Sequence, residues 1–109
     1  MRILVVTTWL PTSGHPETGA FIVRDIEMLR ADHEVDVIHL SARSEETLAP
    51  FPVTRVPMSP TSPGSIARAA KIIEARAETA DLVHSMAASS LLPFRAFRPQ
   101  RPWVHTEHW

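Results

Sequence analysis

Residues 3–40 read ILVVTTWLPTSGHPETGAFIVRDIEMLRADHEVDVIHL, and a change of hydrophobic period inside this stretch decides the fold. Ile3 to Val6 is an unbroken apolar run, rich in β-branched residues and without polar alternation. A strand covered on both faces, as in a parallel sheet, has this pattern. Residues 9–18, WLPTSGHPET, hold two prolines and a glycine and read as an irregular loop. From Gly19 the period becomes helical: Ile22, Ile26 and Leu29 fall on one face, while Arg24, Asp25, Glu27 and Arg30 lie mostly elsewhere on the wheel. This helix is expected to stop near Asp32. Val35, Val37, Ile38 and Leu40 then form a second strand, polar at its start and apolar at its end.

The rest of the chain repeats the theme. Residues 41–52 are polar and proline-bearing, a loop, and Val53 to Val56 is a short third strand closed by Pro57. PMSPTSP, residues 57–63, cannot be a regular element. Ser62-Pro63 has the form of an N-cap followed by proline at the first helical position. The helix it opens carries Ile66, Ala70, Ile73 and Ala77 on one small apolar stripe, suited to close approach to a sheet. Leu82 and Val83 form a fourth strand, Ala87 to Phe97 a short helix interrupted at Pro93, and Trp103 to Thr106 a fifth strand. The order β-α-β-β-α-β-α-β predicts an α/β fold: a doubly wound, mostly parallel, five-stranded Rossmann-like sheet with helices on both faces. The ends of strands one, four and five are expected to face one crevice, where ligands bind in such sheets.

Composition narrows the function classes. The chain has 109 residues, enough for one domain, with 44% apolar and 21% charged residues. A net charge of −1 provides no basic footprint for nucleic acid and no long-range field toward an anionic membrane. The absence of cysteine excludes disulfides, thiolate metal sites and a cysteine nucleophile. The opening apolar run ends at Thr7, too short for a signal segment or a bilayer span, so a cytoplasmic location is expected.

Several residues can carry chemistry. Thr8 and Trp9 end the first strand. Thr18 and Gly19 stand where the first helix begins, and a helix start attracts phosphate through its unpaired N–H groups. Gly19 reads either as a pyrophosphate contact or as a helix-start glycine with no ligand. Neither G-x-G-x-x-G nor G-x-x-x-x-G-K-[ST] is present: Ala20 and Phe21 stand where the phosphate loop needs lysine and a hydroxyl. No G-x-S-x-G elbow supports an esterase-type nucleophile. His84 and Ser85 close the fourth strand, and His105, Thr106, Glu107 and His108 the end of the fifth. A histidine at a strand's carboxyl end can donate to a developing negative charge or to a sugar hydroxyl, or can simply satisfy a backbone carbonyl. H-x-x-H on a strand splits its rings between faces, which argues against zinc, and no metal site is expected. His15 and His33 read as solvated. Arg95, Arg98 and Arg101 make a modest cationic patch. It is either a solvated face or a contact for an anionic acceptor or lipid head group at a membrane surface.

Three segments together resemble a known family. MRILVVTTWLPTSGHPETGAFIVRDIEML is similar to the opening of family 4 (group 1) retaining glycosyltransferases of the two-domain GT-B type: strand, proline-containing loop, glycine, helix. DHEVDVIHL resembles that family's Gly-His-Glu-Val strand entry, with Asp32 for the glycine. DLVHSM and WVHTEHW resemble its Asp-x-x-His-x-His strand and its Thr-x-His strand end.

The resemblance implies the N-terminal, acceptor-side domain of an enzyme that moves a sugar from a nucleotide-sugar donor to an acceptor with retention of configuration. The nucleotide-sugar is a substrate, and no cofactor or metal is implied. Gly19 matches the second glycine of the family's loop beside the donor pyrophosphate, with Thr18 where many members have the first. His108 matches the histidine that contacts the transferred sugar and is the expected catalytic residue. His84 matches the first histidine of its strand, and Met86 replaces the second. Thr8, Trp9, His84, Ser85, Thr106 and Glu107 are the expected cleft and acceptor contacts. The donor-gripping second domain, with its E-x7-E motif, is absent from residues 1–109. The chain is therefore expected to be one domain of a longer protein, inactive alone and prone to self-association. The alternative is a non-catalytic nucleotide-binding or protein-interaction domain.

Overall fold

The computed structural model describes residues 1–42, 44–86, 92–94 and 102–106. Five strands and two helices follow one another: β1 (Arg2–Thr7), α1 (Ala20–Arg30), β2 (Glu34–Ser41), β3 (Thr54–Pro57), α2 (Pro63–Ala77), β4 (Leu82–Met86) and β5 (Trp103–Thr106). The strands form a single sheet in the order β3-β2-β1-β4-β5, and every neighbouring pair is parallel. The protein is thus an α/β domain of the doubly wound, Rossmann-like type. Its strand order reverses between β1 and β4, the place where such sheets open a crevice at their carboxyl edge.

The unbroken apolar character of β1 has its cause in this layout. Alternate side chains leave opposite faces of a strand. Leu4 and Val6 pack with Ile38, Leu40, Val56, Ala69, Ile73 and Val83 on the α2 face. Ile3 and Val5 pack with Leu10, Ile22, Ile26, Val37, Phe51 and Met86 on the α1 face. Ile26 and Ile73 are fully buried, one beneath each helix. Burying an isoleucine stabilises a fold by roughly 1.5–3 kcal/mol. Ala69 and Ala70 are buried on α2, so small side chains do bring that helix close to the sheet.

The element boundaries follow local chemistry. Gly19 caps α1 in the left-handed region, with φ at 72°. A Cβ there would lie 2.7 Å from the carbonyl oxygen of Trp9, so both the backbone angle and the close approach require glycine. Ser62 caps α2 by accepting from the Ser65 N–H at 3.3 Å, and Pro63 is its first residue. At the far end of α2, Arg76 donates through Nη1 to both Asp36 oxygens, at 2.9 and 3.0 Å, and through Nη2 to Thr54 at 3.2 Å. This tethers the helix to β2 and β3.

Some boundaries differ from the sequence expectation. β3 is shifted by one residue and includes Pro57, which an edge strand tolerates because its outer N–H is not needed for pairing. As expected, β2 is followed directly by β3, with no helix among the described residues between them. From the connection between them, Phe51 buries against the α1 face. Leu92–Phe94 form a single 3-10 turn, and the other residues of the helix expected over 87–97 lie outside the described ones. Among the described residues, no helix is long and apolar enough to cross a membrane.

Candidate functional site

The carboxyl edge of the sheet gathers most of the expected site. Thr7 pairs with Met86, and Met86 pairs with Thr106, so the tips of β1, β4 and β5 stand in one row. On the other side of Thr7, in the same row, is His39 of β2. Gly19 brings the start of α1 against Trp9 and Leu10 at this edge. No side chain caps that helix and no acidic residue lies in its first turn. Its leading N–H groups and dipole therefore favour an anion.

The β4–β5 side is tied by side chains. His84 Nε2 lies 2.7 Å from the Thr106 hydroxyl, joining the two strands on one face. On the other face Ser85 is fully buried. Its hydroxyl accepts from the Trp103 indole N–H at 3.0 Å and lies 2.7 Å from His105 Nδ1. The Trp103 ring stacks on Phe94 with centroids 4.7 Å apart. His84 is half-buried and sits within β4, which runs on to Met86. Ser85, expected as a cleft contact, lies inside a buried knot with its strand neighbours. Glu107 and His108 lie outside the described residues, as do Arg95, Arg98 and Arg101.

Among the described residues, a cleft opens on the other flank of β1. A hollow of about 480 Å³ lies over the tips of β1 and β2 and the turn after β3. Thr8, Trp9 and Thr18 line it. Thr12, His15, His39, Ser41 and Glu45 line it as well. The residues 11–15 and 45–48 clasp each other to make its wall. Thr12 pairs with Thr47, the Ser13 N–H donates to the Glu46 carbonyl at 3.0 Å, and the Leu48 N–H to that of Pro11 at 2.7 Å. Inside the clasp the Thr12 hydroxyl donates to Glu45 Oε2 at 2.6 Å, and His15 Nδ1 lies 3.3 Å from the same oxygen.

His39 is the floor pin of this wall. It is buried, its Nδ1 lies 2.8 Å from the Thr47 hydroxyl, and its ring also hydrogen-bonds the Thr8 main chain. Burial pushes its pKa below the ordinary value of 6.5, the Thr8 bond pulls the other way, and Arg55 adds to the depression. The imidazole is therefore neutral at physiological pH and serves as a hydrogen-bonding strut.

Sequence reasoning missed His39, Thr12 and Glu45, and read His15 as solvated. His39 left one legible signal, a polar ring inside the apolar run of β2. The Thr12–Glu45 contact spans 33 positions and follows no periodicity. A wider hollow of about 640 Å³ lies at the opposite, amino-terminal edge, among Arg2, Arg30, Asp32, Glu34 and Asp81. Its charges join strand starts: Arg2 Nη2 lies 3.1 Å from Glu34, and the Arg2 N–H donates to Asp81 at 2.8 Å. It is distant from the switch point, so the carboxyl-edge cleft is the candidate site.

No family model, curated protein or solved structure matches this chain. The class that the fold defines is a Rossmann-like α/β domain with a carboxyl-edge cleft.

Proposed function

We propose that this chain is the acceptor-side domain of a retaining glycosyltransferase that takes its sugar from a nucleotide-linked donor. One observation carries the reading. The tips of β1, β4 and β5 share a row at the switch point, and beside them the helix start at Gly19 has no side-chain cap. In the proposed arrangement the start of α1 at Gly19 and Ala20 faces the donor pyrophosphate, with Thr18 beside it. His108 follows β5 by two positions and faces the transferred sugar, where a ring N–H stabilises charge developing at the leaving oxygen. A second Rossmann-like domain encloses the donor and excludes water, so this domain alone turns over nothing. The partners are then a nucleotide-sugar and a hydroxyl-bearing acceptor: the acceptor oxygen bonds to the anomeric carbon, the bond from that carbon to the phosphate oxygen breaks, and the nucleotide departs.

The test is transfer by the full-length protein from UDP-, GDP- and ADP-linked sugars. His108→Ala is expected to lower turnover by about a hundredfold or more, the scale of losing a charge-stabilising donor. Unchanged turnover would remove His108 from the mechanism, and no transfer from any donor would end the reading.

A non-catalytic nucleotide-binding or protein-binding domain is the second reading. The observation favouring it is Gly19 itself, whose positive φ and contact with Trp9 account for the glycine without any ligand.

A further inference from the structure

The outward face of α1 carries a pattern that matches itself under a two-fold rotation. Ile22 and Ile26 are fully buried in the core, and Arg24 stands opposite them at the centre of the exposed face. To one side of Arg24 lie Phe21 and Met28, two turns apart and exposed at 40% and 67%. To the other side lie Ala20 and Glu27, also exposed. A shallow hollow of about 420 Å³ runs between Ala20, Val23, Arg24, Glu27 and Met28. Among the described residues, neither the Arg24 nor the Glu27 side chain makes an ion pair or a hydrogen bond.

We infer that this face docks a second copy of the chain, whose own α1 lies antiparallel on it about a two-fold axis at the level of Asp25. Phe21 then comes within one residue's rise, about 1.5 Å, of the level of Met28 in the second copy. Arg24 comes equally near the level of its Glu27. An antiparallel two-fold keeps each side of the face on its own side, so the apolar residues meet apolar residues. The contact is isologous: Phe21 packs on Met28, Arg24 pairs with Glu27, and both contacts are returned by symmetry. Two ion pairs thus form from four side chains that the single chain leaves unpaired. A parallel pair would instead set Arg24 level with Arg24 and turn the Met28 side toward the Glu27 side. The face of one 11-residue helix is small against the roughly 1,200 Å² or more of a stable interface. The dimer is therefore weak, with Kd on the order of 0.1–1 mM. Phe21, Arg24, Glu27 and Met28 do not line the carboxyl-edge cleft, so the pairing stands or falls independently of the transfer reading.

The test is an NMR dilution series with sedimentation velocity on the 109-residue chain, on Arg24→Glu, on Glu27→Arg and on the variant carrying both. Each single reversal sets like charges against each other and is expected to weaken the dimer by about tenfold or more. The double variant exchanges the partners and should return to within about threefold of the wild type. Its recovery would also show that neither substitution unfolds the chain. Added salt should weaken the wild-type dimer. The chain has no cysteine, so Ala31→Cys carries a single nitroxide label. Mixed with unlabelled, isotope-enriched chain, it should broaden the Gly19, Ala20 and Phe21 amides of the other copy. A chain that stays monomeric at about 1 mM overturns the inference. So does a dimer indifferent to both single reversals, a double variant no tighter than the singles, or broadening centred on Leu29 and Arg30.

Discussion

A Cβ placed on Gly19 would stand 2.7 Å from the carbonyl oxygen of Trp9. The start of α1 and the tip of β1 are therefore in main-chain contact, and the loop of residues 9–18 is clamped at both ends. Gly19→Ala is expected to destabilise the domain by about 2 kcal/mol or more, from the left-handed backbone and the collision together. Gly64 is the control. It lies in the first turn of α2 with open space where a Cβ would go, so Gly64→Ala should be neutral or stabilising by roughly 0.5 kcal/mol. Urea unfolding of the two variants tests the contrast, and equal effects would contradict it.

His39 makes stability depend on pH. Its folded pKa is depressed below the unfolded value of 6.5, so the unfolded chain binds the extra proton more readily. The stability associated with a neutral His39 is complete above 6.5 and declines as the pH falls below that value. Other groups titrate in the same range, so the measurement is a comparison between proteins. Unfolding free energy between about pH 5 and about pH 8 should rise more steeply in the wild type than in His39→Asn. Parallel curves would show that the ring contributes nothing to the slope.

Arg76 and Asp36 are partly exposed, with side-chain exposures of 39% and 37%. Solvent screening therefore limits their pairing despite its two short contacts. A double-mutant cycle with Arg76→Ala and Asp36→Ala should give a coupling of about 0.5–1 kcal/mol that shrinks as salt is added. A coupling several times larger and indifferent to salt would mean that the pair acts as a buried one.

Ser62 satisfies one of the orphan N–H groups at the start of α2 through Ser65. Ser62→Ala is expected to cost about 1 kcal/mol, and Ser62→Asp to restore most of it, because aspartate caps equally well. Thermal or urea midpoints for the two variants are the measurement. A loss that aspartate does not recover would point to another role for the hydroxyl.

Much of the fold was legible because its signals are local. The apolar run Ile3–Val6 announced a strand covered on both sides, and the structure divides those residues between two cores. Ser62-Pro63 announced the start of α2 to the residue. The loop between β2 and β3 was legible too, but not what it would bury. Phe51 in a polar, proline-bearing loop did not reveal that it would seal the α1 face.

The site divided along the same line. Thr8, Trp9 and Thr18 could be named from the sequence, because a strand end and a helix start are marked by their own residues. Ser85 looked equally eligible, since a strand's pattern does not say that a tryptophan indole from the next strand will claim its hydroxyl.

By itself, the sequence determined the order of the five strands and of the first two helices, and the parallel sheet. Those follow from hydrophobic period and from the handedness of the crossovers, which act over a few residues at a time. Only the tertiary structure decided that a cleft opens over the tips of β1 and β2, and that Thr12, His39, Glu45 and Thr47 build its wall. Hydrogen bonds between loops 30 or more positions apart depend on where the packed sheet delivers each loop, and no local pattern encodes that meeting.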